Sequence, residues 1–268
     1  MTGNSELPEP EDSGWQAPAL SMADAEKLMA SPFGAELQKL IVHHMAFFAF
    51  GTKGPNGEAE NFRNGTCFFM RTSRRLLAVT AGHVIQGFRK AKENNPSTMC
   101  QIGNLRFDPL ARLIDVGVKA DIATIDISEK ELEHIGKYPI TLWPPHPPEQ
   151  DNHGVLLAGY PAAAITADDP WTRCFGIYAA SGVVQRVTDW QLSCSVDWEN
   201  SKPTNLAGLP PRHYDTGGMS GGPVLTIRQV NGIMTFPVAG VISEGRAETD
   251  TVVAERADNI RADGTIRF

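Results

Sequence analysis

Polar and apolar positions change their rhythm several times along the chain, and each change marks a different kind of element. Over residues 1–20 there is little apolar periodicity. Pro8, Pro10 and Pro18 stand among Glu6, Glu9, Glu11 and Asp12, which reads as a flexible acidic tail. From 21 to 44 the spacing turns helical. Ser21 can cap a helix opening at Met22, and Ser31-Pro32 can cap and start a second, in which Leu37, Leu40 and Ile41 share one apolar face.

From Met45 onward, short runs of β-formers recur between turn signals, at 46–51, 65–71, 75–80, 99–107, 111–118 and 122–127. Trp143-Pro-Pro-His-Pro-Pro148 can continue neither a strand nor a helix, so 143–153 reads as a linker. Beyond it the runs resume at 155–160, 175–179, 182–188, 191–196, 223–229, 233–236 and 238–243. The C-terminal stretch ending Thr265-Ile-Arg-Phe268 reads as a last strand or a strand plus tail. The pattern predicts an all-β chain in two strand groups, 45–142 and 154–268, without α/β alternation.

Composition narrows the function classes. Across 268 residues, 41% are hydrophobic and 21% charged, which is ordinary globular usage. A formal charge of −7 argues against a nucleic-acid partner, because release of counterions from phosphates needs a basic face. Met1 to Gly14 is acidic rather than cationic and apolar, and 40–50 is too short to span a bilayer, so a cytoplasmic protein without membrane contact is expected. Cys67, Cys100, Cys174 and Cys194 are too widely spaced for a zinc site and are expected to be buried free thiols. Asn64-Gly-Thr66 matches a glycosylation sequon and is expected to be a turn.

The stretch Tyr214-Asp-Thr-Gly-Gly-Met-Ser-Gly-Gly-Pro-Val224 places one serine among four glycines, a backbone suited to bringing N–H groups against a ligand. A serine hydroxyl needs an adjacent base to act as a nucleophile at neutral pH. Chain order tests which base is available. Gly218-Met-Ser-Gly-Gly222 fits G-x-S-x-G formally, but no histidine follows Ser220, as the α/β-hydrolase order requires. The subtilisin order would draw its aspartate from Asp12 or Asp24, in or near the acidic tail. The order His, Asp, Ser remains.

His83 has the most particular setting of the seven histidines, since the apolar run Leu76-Leu-Ala-Val-Thr80 leads straight into it. His43, His44, His134, His146, His153 and His213 read as surface or satisfied core residues. Asp121 opens the run at 122, and alternation puts it on one face with Ala123, Ile125 and Ile127, where a buried carboxylate needs a partner such as a histidine N–H. Asp126 and Asp115 read as solvated surface residues, with Asp115 in reserve for Asp121.

Thr80-Ala-Gly-His83, Asp121-Ile-Ala123 and Gly218-Met-Ser-Gly-Gly-Pro223, in that order, resemble the three catalytic motifs of the trypsin-like (chymotrypsin-fold) serine proteases. The likeness runs from about Met45 to Gly245, and Val238-Ala-Gly-Val-Ile-Ser-Glu-Gly245 resembles the strand lining the family's substrate cleft. It implies two six-stranded antiparallel β-barrels with short N-terminal helices added, and a site between the barrels. It further implies an endopeptidase in which Ser220 attacks the peptide carbonyl, His83 moves the proton and Asp121 holds the imidazole, with Gly218 and Ser220 N–H groups as the oxyanion hole. No cofactor or metal is implied, and the partner is a protein or peptide substrate.

Two departures bear on regulation. Met219 occupies the place of the aspartate that pairs with a new N-terminus in activated digestive members, so no zymogen switch of that kind is expected. Val84 replaces the cysteine usual beside the histidine, which suits an intracellular bacterial-type member. Alignment puts the pocket base near Tyr214, with Asp215 and Thr216 on one wall and Ser243, Glu244 and Gly245 on the other. Asp215 favours Lys or Arg substrates, a Tyr214 ring small apolar ones, and the insertion 200–213 could reshape either. The helices at 21–44 suggest an alternative: a catalytically weak or partner-activated fold acting as a regulated binding module. Esterase or acyl-transfer chemistry is a third reading.

Overall fold

The computed structural model describes residues 31–55, 58–148, 153–167, 172–196, 215–230 and 233–267. The expected tail, the helix from Met22, the insertion 200–213 and Tyr214 lie outside these residues. The protein is mostly β. Helix α1 (Pro32–Val42) starts at the expected proline and buries Leu37 and Ile41, whereas Leu40 is 42% exposed and leaves the apolar face one residue narrower than its spacing suggested.

Seven strands follow: β1 (Met45–Lys53), β2 (Ala59–Arg71), β3 (Leu76–Ala81), β4 (Met99–Ile102), β5 (Leu105–Arg106), β6 (Leu113–Val116) and β7 (Ile122–Asp126). They form one antiparallel sheet in the order β5-β4-β1-β2-β3-β7-β6. Its outer strands β5 and β6 do not pair with each other. Between them the chain takes a 3₁₀ turn at Pro109–Ala111, where proline offers no N–H, and the Phe107 N–H turns back to the Cys100 carbonyl. A second closed barrel is therefore not shown in this half.

Two helices unmarked by the sequence reading belong to this sheet. Helix α2 (Gly82–Asn94) buries Val84, Ile85 and Phe88. Helix α3 (Glu129–Ile135) is nucleated by a capping box, in which the Ser128 hydroxyl accepts from the Glu131 N–H and the Glu131 carboxylate accepts from the Ser128 N–H.

The second half is a closed, six-stranded antiparallel barrel. Its chain runs through β8 (Gly154–Gly159), the short pair β9 (Ile165–Thr166) and β10 (Cys174–Phe175), then β11 (Tyr178–Val187), β12 (Gln191–Val196) and β13 (Pro223–Thr226). A hairpin of β14 (Arg228–Val230) and β15 (Ile233–Thr235) precedes β16 (Val238–Arg246) and β17 (Thr251–Arg256). The barrel order is β11-β12-β17-β16-β13-β8. β11 is one strand where two shorter runs were expected, because Gly182 behaves as a contact residue and not a breaker: a Cβ there would sit 2.6 Å from the Ser195 carbonyl oxygen. β17 closes the barrel between β12 and β16 and is the last strand expected, and the residues after it turn back on themselves through an Ile260–Ile266 bridge.

Apolar burial falls into three cores. One lies on the α2 side of the seven-stranded sheet (Phe48, Phe69, Ile85, Ile125), and one fills the barrel (Leu157, Leu192, Met219, Ala254). The third joins the halves, with Phe68, Val79, Ala120 and Ile122 from the sheet against Leu156, Ala179, Val241 and Ala257 from the barrel. Alternation explains the division: successive residues of β3 enter different cores, and both faces of β3 and β7 are covered. Cys67, Cys100 and Cys194 are buried and free; burial pushes the Cys194 thiol up to about 12. Cys174 is exposed, contrary to expectation, because it sits on the two-stranded β9–β10 ribbon outside the barrel.

Candidate functional site

The fully buried β3 carries the chain to Ala81, which stays extended at φ −72°, ψ 143° and caps α2 without a side chain. Asp121 supplies what that helix end lacks. Its Oδ1 accepts the His83 backbone N–H at 2.7 Å, and its Oδ2 lies 2.5 Å from His83 Nδ1. One carboxylate thus satisfies an orphan amide of the first turn and holds the imidazole, in the place where the helix dipole favours negative charge. The geometry demands Gly82, since a Cβ there would stand 2.9 Å from Asp121 Oδ1.

The hydrogen bond that His83 donates to Asp121 raises the His83 pKa above its ordinary value; burial works against the shift and the Asp121 charge adds to it. With Nδ1–H donating to Asp121, the other ring nitrogen carries the free lone pair. Asp121 itself lies just before β7, with its side chain 31% exposed, so its placement does not follow from strand alternation. β7 is buried on both sides, which makes alternation uninformative there.

Ser220 sits on the loop entering β13. Met219 plugs into the barrel core at 1% exposure, and Gly218 and Gly221 take φ values of +94° and +90°. Around them the amides alternate in their use. Gly217 N–H donates to Asp215 Oδ1, Met219 N–H to the Thr216 carbonyl, and Gly221 N–H to the Ile242 carbonyl. Among the described residues nothing accepts from the Gly218 or Ser220 N–H. The N–H groups of Gly218 and Ser220, the residue that carries the hydroxyl, thus have no acceptor among the described residues.

Thr66, in the middle of β2, joins this loop to the sheet. Its N–H donates to the Ser220 carbonyl at 2.8 Å and its hydroxyl to the Gly218 carbonyl at 2.9 Å, while the Tyr160 N–H donates to that hydroxyl. Thr80, three residues before His83, donates to the Thr66 carbonyl. A Cβ on Gly221 would lie 2.0 Å from the Thr66 carbonyl oxygen and 2.9 Å from the Ala81 nitrogen, so the serine loop is pressed against the strand end that carries His83. Asn64 donates from Nδ2 to the Tyr160 carbonyl. The expected turn at 64–66 is therefore strand, used for contact between the halves. Ser220 Oγ donates to the Ser243 carbonyl at 3.4 Å, a long bond, and His83 is not among its partners.

No family model matches the chain, and no curated protein does. Among solved structures, a chain described under "Aromatic interactions drive the coupled folding and binding of the intrinsically disordered Sesbania mosaic virus VPg protein" is 11% identical, with a TM-score of 0.42, over 79% of this chain and 85% of its own. At that score the likeness carries no argument.

The remaining expected residues are dispersed in role. Asp215 is turned onto Gly217, and Thr216 is buried against Gly245, where a Cβ would be 1.7 Å from the Thr216 hydroxyl. The two expected pocket walls thus touch. Ser243 donates to the Val253 carbonyl, and Glu244 is paired with Arg246. Asp115 is not solvated as expected: its carboxylate accepts the N–H groups of Val116 and Ile266 and ties the C-terminal segment to the sheet. Asp126 is half-exposed between Arg75 and Arg112. A groove of about 470 Å³ opens elsewhere, walled by Phe47, Phe62 and Phe175, and none of His83, Asp121 and Ser220 lines it.

Proposed function

We propose that the protein is a serine endopeptidase of the trypsin-like kind, its first half an incompletely closed counterpart of the second barrel. The observation that carries this reading is the His83–Asp121 pair, made at a strand end against which the Ser220 loop is pressed, with the Gly218 and Ser220 amides unpaired among the described residues. Ser220 Oγ attacks the carbonyl carbon of the scissile peptide as His83 accepts its proton. The Gly218 and Ser220 N–H groups stabilise the oxyanion; in such sites each donor is worth about 10²–10³ in rate. His83 returns the proton to the leaving amine, and water then releases the acyl group by the same route. Asp121 fixes the imidazole tautomer throughout.

The Ser220–Ser243 bond favours a second reading, a resting form in which the hydroxyl is turned from the base and substrate or a partner protein turns it back. Among the described residues no helix is long and apolar enough to cross a membrane. Cleavage of a peptide library tests the function. The proposal expects peptide cleavage by the native protein and none by Ser220→Ala; cleavage that survives in Ser220→Ala, or turnover of simple esters alone, overturns it.

A further inference from the structure

Glu255 is a carboxyl that the proposed chemistry does not use, and the fold has buried it under the site. On β17, Val252 and Ala254 point into the barrel, so Val253 and Glu255 point outward, toward the other half. Glu255 is nevertheless only 2% exposed. Its cross-strand partners are Gln191 on β12 and Val241 on β16. Val241 and Ala257 belong to the core between the halves, and so do Ala120 and Ile122, the two residues flanking Asp121. The carboxyl therefore meets the sheet at the point where Asp121 enters β7.

Its polar contacts are few and specific. Oε1 accepts from Gln191 Nε2 at 2.8 Å, while Oε2 is buried with no hydrogen-bond partner among the described residues. The Ser243 side chain and the Asp121 backbone amide are the nearby groups that act on it, and the Asp121 carboxylate opposes its ionisation. Burial above all raises the pKa of this carboxyl, and the Asp121 carboxylate adds to the shift. A buried carboxyl oxygen needs a donor, and the groups within its reach among the described residues are the Asp121 amide and the Ser243 hydroxyl.

We propose that Glu255 is a positioning residue for the His83–Asp121 pair, a barrel-borne carboxyl that braces the Asp121 backbone from below and so keeps its carboxylate on the imidazole. It touches no reacting atom. It would make the sheet-borne pair depend on the barrel carrying the nucleophile, and it rests on the reading of that pair as catalytic.

The test is an NMR titration of the His83 imidazole in the full chain, which needs no substrate, alongside the rate at which a fluorophosphonate labels Ser220. Glu255→Gln keeps the shape and an accepting oxygen without a charge; Glu255→Leu keeps bulk alone. The proposal expects Glu255→Gln to leave the His83 pKa raised and the labelling rate within roughly threefold of native. It expects Glu255→Leu to let the His83 pKa fall toward its ordinary value and to slow labelling by roughly 10²-fold, the cost of a small misplacement. An unshifted His83 titration in a folded Glu255→Leu protein overturns it, and so does a Glu255→Gln protein in which the His83 pKa falls. If Glu255→Leu does not fold, the Glu255→Gln titration decides alone. Absence of Ser220 labelling in the native protein would count against the peptidase reading, while the His83 titrations would still decide the brace.

Discussion

The two halves contribute to the candidate site in opposite ways. In the seven-stranded sheet, the histidine and its carboxylate lie 38 residues apart and bond to each other twice, through ring and backbone. In the barrel, the serine loop gains much of its placement from the other half: Thr66 holds both the Ser220 and the Gly218 carbonyls. The pair is built by local geometry at a helix end, whereas the Ser220 loop is docked. A prearranged pair costs nothing to assemble during a reaction, while a docked loop can be moved by a neighbour.

The sharpest way to break this contrast is at Asp121. Asp121→Asn removes the charge and the tautomer lock together, and reactivity of Ser220 should fall about 10⁴-fold at neutral pH. The His83 pKa should drop at the same time, because the hydrogen bond it donates to the Asp121 carboxylate is the main cause of its rise. The pH profile follows from the sign. His83 serves as base only when neutral, so native reactivity falls as pH falls through its raised pKa, and in Asp121→Asn that fall moves to lower pH.

Next comes the docked side. Gly218→Ala puts a methyl 2.3 Å from Asn64 Nδ2 at a φ of +94°, so the loop must shift and its amides with it. The labelling rate should drop about 10²–10³-fold, with the His83 titration untouched. A changed His83 titration would mean that the two halves are not independent in this respect.

Thr66→Val is a smaller perturbation aimed at the junction. It leaves the buried Tyr160 N–H and the Gly218 carbonyl without their partner, a loss of about 1–3 kcal/mol readable by denaturant unfolding. Reactivity of Ser220 should fall while the His83–Asp121 pair persists. Smallest is Trp190→Leu, which removes the contact between the Trp190 ring in the β11–β12 turn and Lys119 in the β6–β7 loop, worth about 0.5–1 kcal/mol in stability. No change in His83 is expected.

Much of the strand content was legible because short β-branched and aromatic runs between turn residues have few other solutions. The closed barrel was less so, since β17 carries no motif and is recognised only by its neighbours. His83, Asp121 and Ser220 could be singled out from chain order and local setting. Thr66 could not, because its role depends on Gly218, 152 residues away. Alternation along β7 does not single out Asp121, because β7 is buried on both faces; the local signal is Gly82, which leaves room for the carboxylate at the helix start. Helix α2 went unseen because its cap comes from Asp121, distant in sequence, and not from a preceding serine or aspartate.

The central claim is that a pair built by the sheet activates a serine held by the barrel. Its most direct test is the pH dependence of fluorophosphonate labelling, mapped to the modified residue, in the native protein and in Asp121→Asn. The account predicts modification at Ser220 that rises with pH through the His83 pKa measured by NMR, and collapses in Asp121→Asn. Modification elsewhere, or at Ser220 with a rate that neither follows His83 nor responds to Asp121→Asn, would contradict it.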